Sequence, residues 1–277
     1  MNEVELVFSE LLNCDRFSLC LNKKLPLTKE KGALISSILK RRFFGEPVQY
    51  ILGKAEFMGL EFKVTPDVLI PRPETEILVE SVISIVHSSK FRVQSILDLG
   101  TGSGCIAVSL AKFISTAQIT ATDISQETLA IAKDNAILNK VEDRIKFIRS
   151  DLFSNYELCA MNYELIISNP PYIPTEEIDK LQLEVRHEPR AALDGGTDGL
   201  DFYRRIIQES PAYLKQGGLL IMEMGFGQHR GIENMLKKSQ KFEIINIIKD
   251  YNNIDRVIIA KNMNSQLSTL NSQLNHG

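Results

Sequence analysis

The first candidate for chemistry is the tetrapeptide Asn169-Pro170-Pro171-Tyr172, which directly follows an apolar run at 164–168. Two consecutive prolines restrict the backbone, so this loop is stiff. The side-chain oxygen of Asn169 and the carbonyl oxygen of Pro170 can accept both hydrogens of a planar NH2 group, and the Tyr172 ring offers a flat face to it. Such contacts orient a conjugated nitrogen and stabilise positive charge as it develops. The tetrapeptide therefore predicts that Asn169, Pro170 and Tyr172 contact the substrate and are catalytic. The alternative that N-P-P only ends a strand stays open at this point.

A second candidate is the glycine loop Gly100-Thr101-Gly102-Ser103-Gly104, which follows Asp98. A dinucleotide fingerprint would need a further glycine at position 105 or 107, and a phosphate loop would need Gly-Lys-Ser/Thr; neither occurs. Glycines without side chains let a ligand approach the backbone closely. The loop therefore favours a nucleoside ligand that carries little phosphate, although a purely structural role for the glycines is the alternative.

Two further acids extend this predicted ligand site. Asp123 follows the next predicted strand, about twenty residues after the glycines, where an acid can accept hydrogen bonds from ribose hydroxyls. Asp151 and Leu152 follow the third strand and would flank an adenine. S-adenosylmethionine fits these requirements, with its methionine part against the glycine backbone. These residues predict cofactor contacts at Gly100, Thr101, Gly102, Ser103, Gly104, Asp123, Asp151 and Leu152.

No metal site is predicted. The cysteines at positions 14, 20, 105 and 159 form no C-x-x-C pair, and reduced core thiols are the simpler interpretation. His187-Glu188 lacks a second histidine at position 191, so no H-E-x-x-H motif exists.

The elements that must position these residues alternate between strands and helices from position 95 onward. Such a rhythm is typical of an open, largely parallel α/β sheet with helices on both faces, in which ligands bind at the carboxyl ends of the strands. We predict strands at 96–99, 118–122, 145–148, 165–167 and 219–222, helices at 74–86, 105–113, 127–138 and 200–214, and an antiparallel edge pair at 242–248 and 256–259.

The first part of the chain has a different pattern. Apolar residues recur at helical spacing from Val4 onward. They do so again from Leu34 onward, after a Thr28 N-cap. Alternation at 60–64 predicts a hairpin strand, and the prolines at 69–73 predict an extended linker. The expected domains are a helical substrate-recognition domain with its hairpin linker at 1–75, a Rossmann-like catalytic domain at 76–261, and a disordered polar tail at 262–277.

Composition excludes several classes of protein. The 277 residues are 44% hydrophobic and 24% charged, with a net charge of −3, which is ordinary for a globular protein and gives no general attraction to nucleic acid. No apolar run approaches the roughly 18 residues that span a bilayer, and the N-terminus does not have the pattern of a signal peptide. We expect a cytoplasmic protein without membrane contact.

The sequence resembles one known family along roughly residues 30–261. Asn-Pro-Pro-Tyr alone is shared by methyltransferases that act on adenine N6, cytosine N4 or glutamine amide nitrogen. The order and spacing of further segments, however, resemble the peptide chain release factor N5-glutamine methyltransferase family. These segments are GEPVQYILG at 45–53, LIPRPETE at 69–76, DLGTGSG at 98–104, ATDIS at 121–125, SNPPYI at 168–173, EPRAAL at 188–193 and GLDFY at 199–203.

The resemblance implies a Rossmann-like class I S-adenosylmethionine-dependent methyltransferase with a small helical N-terminal domain and a β-hairpin linker. It implies S-adenosylhomocysteine as product and, as protein partner, class I release factors whose Gly-Gly-Gln glutamine receives the methyl group. Matched to the family's motif, Asn169 is a further cofactor contact, and all four residues from Asn169 to Tyr172, with Pro171 among them, contact the glutamine. The resemblance also implies that Glu188 and Arg190 brace a loop over the site. Two departures stand out: Leu152 replaces the tryptophan of some relatives, and the turn at 250–256 has less glycine.

Two other functions are alternatives to release factor methylation. A DNA adenine-N6 methyltransferase would use the same pocket but needs a basic face, whereas residues 1–75 hold 11 Lys and Arg against 10 Asp and Glu. A non-catalytic nucleoside-binding or dehydrogenase-like module would have no need of Asn169-Pro170-Pro171-Tyr172. We therefore expect no stable nucleic-acid partner.

Overall fold

The computed structural model describes residues 3–12, 14, 16–21, 28–88, 93–160 and 162–263. Its first part is helical, as predicted. The helices are α1 (Glu3–Leu12), α2 (Arg16–Leu21), α3 (Lys29–Phe43) and α4 (Val48–Leu52). The Thr28 hydroxyl accepts a hydrogen bond from the Lys31 amide at 3.3 Å, which confirms the predicted N-cap of α3.

A β-hairpin and an extended segment connect these helices to the rest of the chain. Strands β1 (Lys54–Phe57) and β2 (Leu60–Lys63) pair antiparallel, and the rings of Phe57 and Phe62 pack edge to face beneath them. The turn residues Met58 and Gly59 both have positive φ, which suits the twist of a two-residue hairpin. Helix α5 (Pro73–Ser88) then begins at the proline that ends the predicted linker.

A seven-stranded sheet forms the centre of the remaining chain. Its strands are β3 (Ser95–Leu99), β4 (Gln118–Asp123), β5 (Ile145–Arg149), β6 (Tyr163–Ser168), β7 (Leu214–Glu223), β8 (Phe242–Lys249) and β9 (Asp255–Asn262). The order is β5-β4-β3-β6-β7-β9-β8, in which β9 runs antiparallel to both β7 and β8. This confirms the predicted parallel sheet with its antiparallel edge pair. The strand order reverses between β3 and β6, where ligands of such sheets bind.

Helices cover both faces of the sheet. Ile96 and Leu165 belong to an apolar core beneath α5, α6 (Cys105–Phe113) and α7 (Gln126–Leu138). On the other face, Leu97 and Ile166 pack with α8 (Asp201–Glu209) and α9 (His229–Ser239). Because neighbouring residues of one strand point to opposite faces, the central strands must be mostly apolar on both faces, and the buried Asp98 and Ser168 lie near their carboxyl ends.

Two helices and one boundary differ from the prediction. Helix α8 ends at Glu209, five residues before the predicted end, because Pro211 begins a separate 3-10 turn at Ser210–Ala212 and Leu214 already belongs to β7. Helix α9 was not predicted, although its buried Ile232 and Leu236 have helical spacing.

The predicted boundary of the tail at 262 is also wrong. Strand β9 includes Asn262, whose side-chain amide donates to the Leu214 carbonyl at 3.1 Å. Positions 264–277 of the predicted tail lie outside the described residues, and the division into domains stays a prediction. No helix of the described chain is long and apolar enough to cross a membrane.

Candidate active site

The glycine loop lies between the end of β3 and the start of α6, as predicted. Gly100, Gly102 and Gly104 have φ values of 72°, 56° and 81°, a left-handed region that favours glycine. A Cβ added at Gly100 or Gly102 would meet no atom within 4 Å, whereas one at Gly104 would lie 3.1 Å from the Cβ of Ala132. The first two glycines therefore leave space at the backbone for a ligand, and Gly104 allows α6 to pack against α7.

Asp98 lies beneath this loop and is fully buried. One of its carboxyl oxygens accepts the Thr101 hydroxyl at 2.6 Å, and the other has no partner among the described residues. Burial raises the pKa of Asp98 to about 7, and the charge of Asp123 adds to this effect. Asp98 therefore anchors the start of the glycine loop from beneath through Thr101.

Asp123 ends β4 and is held by the loop that it faces. Its Oδ2 accepts the Gly102 amide and its Oδ1 accepts the Ser125 amide, each at 3.1 Å. Burial raises the pKa of this carboxyl, while the backbone hydrogen bonds act in the opposite direction. The carboxyl is thus fixed at the wall of the cavity described next, where lone pairs remain for a ligand hydroxyl.

Asp151 and Leu152 follow β5 on the same edge of the sheet. Asp151 forms an ion pair with Arg205 of α8 at 2.9 Å. Leu152 has φ of 50°, unusual for a side chain with a Cβ, and is 7% exposed. Leu152 therefore supplies an apolar wall at a position where an aromatic side chain could stack against a ligand.

A cavity of about 610 Å³ joins these strand ends, a size that suits a small-molecule ligand. Eight of the nine predicted cofactor residues line it: Gly100, Thr101, Gly102, Ser103, Asp123, Asp151, Leu152 and Asn169. Gly104 does not, because it faces Ala132. Linker residues between Pro66 and Arg72 and Thr75 of α5 also line the cavity, and none of them was predicted from the sequence. The open backbone at Gly100 and Gly102 and the strand-end acid Asp123 fit S-adenosylmethionine.

Asn169 stands between this cavity and a second, smaller one. The smaller cavity has a volume of about 70 Å³, and Asn169, Pro170 and Tyr172 line it. Of the predicted substrate residues, only Pro171 lines the large cavity and not the small one. The Asn169 amide nitrogen donates to the Thr75 hydroxyl at 3.1 Å, and its oxygen has no donor in the part of the chain that the structure describes. This oxygen is therefore available to a ligand at the junction of the two cavities.

Tyr172 is fixed by the loop after β7. Its carbonyl accepts the Gln228 side-chain amide at 2.9 Å, and the same amide donates to the Gly199 carbonyl at 3.1 Å. Burial raises the pKa of Tyr172 to about 12, with a contribution from Glu223. The phenol is therefore neutral at physiological pH and offers an apolar ring.

Glu188 joins the linker to the segment that closes the smaller cavity. Its buried carboxylate binds the Arg72 guanidinium and accepts the Ile70 amide at 3.2 Å. Arg190 instead binds Asp194 at 3.4 Å on the surface of this segment. Glu188 thus braces the wall of the site more directly than Arg190 does.

The described residues contain no group of three or more His, Cys, Asp or Glu side chains that could hold a metal ion. The thiols of Cys14, Cys105 and Cys159 are free. The side chain of Cys20 lies outside the described part of the structure.

Comparisons with known proteins agree with this geometry. Residues 74–198 match the family described as Methyltransferase small domain, and residues 1–53 match the PrmC N-terminal domain. A methyltransferase from Pyrococcus furiosus has a similar fold, with a TM-score of 0.56 at 17% identity, over 82% of this chain and 98% of that one. The fold and the cavity define a Rossmann-like class I methyltransferase, a class that uses S-adenosylmethionine.

Two relatives narrow this class. The release factor glutamine methyltransferase of Geobacter sulfurreducens is 43% identical over 92% of this chain and 87% of the relative. That of Thermodesulfovibrio yellowstonii is 39% identical over 96% of this chain and 94% of the relative. The chain belongs to the release factor glutamine methyltransferase family.

Proposed function

We propose that this enzyme transfers a methyl group from S-adenosylmethionine to the side-chain amide N5 of the glutamine in the Gly-Gly-Gln motif of class I peptide chain release factors. The observation that carries the proposal is the free oxygen of Asn169 at the junction of a large and a small cavity. Names of the relatives point to the same substrate class.

The small cavity suits a primary amide. Its Asn169 oxygen and Pro170 carbonyl accept the two N–H groups of the glutamine, which fixes the nitrogen between the cavities. Tyr172 packs its neutral ring against the planar amide. Pro170 has no N–H, so its own nitrogen cannot compete for these acceptors.

The larger cavity holds the donor in this proposal. S-adenosylmethionine supplies a methyl group on a positively charged sulfur. Gly100 and Gly102 leave room for its methionine part, Asp123 accepts its ribose hydroxyls, and Asp151 and Leu152 border its adenine.

The two acceptor oxygens also explain why no separate base is needed. They stabilise positive charge on the amide nitrogen as its bond to carbon forms, and the N–H becomes acidic only at that stage. The carbon–sulfur bond breaks as the carbon–nitrogen bond forms, the sulfur keeps the electron pair to give S-adenosylhomocysteine, and the acidic N–H proton passes to solvent water. The proposal includes a cytoplasmic location, where release factors act, and S-adenosylhomocysteine as the second product.

A labelling experiment tests the proposed function. The enzyme is incubated with methyl-labelled S-adenosylmethionine and one of three acceptors: a class I release factor, the same factor with its Gly-Gly-Gln glutamine replaced, or duplex DNA. We expect label only in the unaltered factor, on the peptide that contains the glutamine. Label in the altered factor at an equal rate, or in DNA alone, would contradict the proposal.

A further inference from the structure

Thr75 contacts Asn169 from a distant part of the chain. It lies in the first turn of α5 and is 2% exposed. Its hydroxyl accepts a hydrogen bond from the Asn169 side-chain nitrogen at 3.1 Å, although the two residues are 94 positions apart in the sequence. Its own amide donates to the Arg72 carbonyl at 3.0 Å, which ties this turn to the linker. The hydroxyl therefore occupies a fixed position behind the Asn169 side chain.

Glu223 lies on the other side of Thr75. Strands β6 and β7 pair in parallel with Ser168 opposite Met222, so the next residues, Asn169 and Glu223, leave the sheet side by side. The Glu223 carboxyl is 1% exposed and its Oε2 has no partner within the described residues; burial raises its pKa, and the nearby Thr75 hydroxyl lowers it. Tyr203 donates to the Glu223 carbonyl at 2.8 Å and holds the strand end in place.

The chemistry of these three groups gives the hydrogen bonds a direction. Once the Glu223 carboxyl is ionised, above the pKa of about 7 that burial gives it, it can only accept, and the Thr75 hydroxyl beside it is then placed to donate toward it. That hydroxyl then has only lone pairs to offer Asn169, which must turn its NH2 group toward Thr75. The opposite rotation of the Asn169 amide would place its oxygen against the Thr75 oxygen without a hydrogen between them.

We propose that Thr75 and Glu223 are positioning residues, which fix the rotation of the Asn169 amide so that its oxygen faces the substrate nitrogen. This inference rests on the proposed function, because it assigns the Asn169 oxygen to the glutamine amide. It adds two residues that do not touch the reacting atoms and act through Asn169.

The test compares Thr75→Val with two controls. Valine keeps the shape of threonine but cannot bind the Asn169 amide, so we expect kcat for release factor methylation to fall about 10-fold to 100-fold. The KM for the release factor and the Kd for S-adenosylmethionine should stay within about 3-fold of wild type. Thr75→Ser restores the hydroxyl and should recover most of kcat. Ser81→Ala, which removes another buried hydroxyl of α5, should behave like wild type.

A double-mutant cycle separates positioning from a general structural effect. If Thr75 acts through Asn169, then Asn169→Ala/Thr75→Val should be no slower than Asn169→Ala alone. Multiplied losses in the double variant, or a wild-type kcat in Thr75→Val, would overturn the inference. Should Thr75→Val fail to fold, Glu223→Gln serves instead, with an expected loss of about 3-fold to 10-fold that vanishes when Asn169 is alanine. An inactive wild-type enzyme would instead count against the proposed function.

Discussion

The two cavities of the site are built in opposite ways. The large one, of about 610 Å³, is bounded by backbone that lacks side chains and by acids at strand ends. The small one, of about 70 Å³, is bounded by a stiff proline loop that contacts α5 and the loop after β7. We expect contacts in the wide cavity to determine mainly how tightly the cofactor binds. Contacts in the narrow cavity should determine mainly how the reacting nitrogen is oriented. Substitutions in the two regions should therefore change different quantities.

Asn169→Ala gives the sharpest test of this difference. The substitution removes one of two acceptors for the substrate amide, so we expect the methylation rate to fall by about 10²–10³-fold. The affinity for S-adenosylmethionine, measured by calorimetry, should change little. Full activity in this variant would contradict the proposed difference between the two cavities. An unchanged unfolding temperature is the control that the variant folds.

Glu223→Gln tests the buried carboxyl behind the small cavity through the pH dependence of stability. Burial raises the pKa of Glu223 from 4.5 to about 7, so the folded protein binds a proton more tightly than the unfolded chain. The free energy of unfolding of wild type should therefore fall as pH rises from about 4.5 through 7, by up to roughly 3 kcal/mol from this group.

Glutamine cannot ionise, so the Glu223→Gln variant should show a smaller decrease over the same pH range. The measurement is chemical denaturation at pH 5 and pH 8 for both proteins. Parallel pH dependence in wild type and variant would show that the pKa of this carboxyl in the folded protein is not raised above its value in the unfolded chain.

Asp123→Ala should affect the large cavity alone. Loss of a hydrogen-bond partner for the ribose should weaken S-adenosylmethionine binding by about 1–3 kcal/mol. At saturating cofactor, kcat should stay close to that of wild type. The exposed Asp143, which does not line the cavity, provides the matched control Asp143→Ala. Equal affinities in the two variants would mean that Asp123 only holds the glycine loop.

Substitutions of Gly102 and Gly104 should have the smallest effects. They distinguish the role of one glycine from that of the other. Gly102→Ala places a Cβ in open space but keeps a left-handed φ, so it should lower the free energy of unfolding by about 1 kcal/mol and weaken cofactor binding.

Gly104→Ala should destabilise more, because its Cβ also crowds Ala132 at 3.1 Å, and it should leave cofactor affinity nearly unchanged once the protein is folded. Calorimetry and thermal unfolding of both variants measure this. Stronger loss of cofactor affinity in Gly104→Ala would restore the sequence-based assignment of Gly104 as a cofactor contact.

Much of the donor side could be predicted because its residues follow strands in sequence. Gly100 follows β3, Asp123 is the last residue of β4 and Asp151 lies two residues after β5, and parallel strands bring their carboxyl ends to one edge. The same rule could have drawn attention to Glu223, the last residue of β7. Thr75 carries no such signal, because its contact with Asn169 spans 94 residues and leaves no local pattern.

Other differences have equally specific causes. Pro211 ends α8 earlier than apolar spacing alone indicates, since the apolar residues at 213–214 continue into a strand. Gly104 belongs to the glycine motif but serves helix packing, a distinction that spacing in the sequence does not contain.

A crystal structure of the enzyme with S-adenosylhomocysteine and a Gly-Gly-Gln peptide would test most directly whether the small cavity orients an amide nitrogen. We predict that the glutamine side-chain nitrogen lies within about 2.7–3.2 Å of both the Asn169 side-chain oxygen and the Pro170 carbonyl oxygen. The Asn169 nitrogen should still donate to Thr75. A peptide whose amide nitrogen lies away from both oxygens, or an Asn169 amide rotated with its oxygen toward Thr75, would contradict the proposed chemistry.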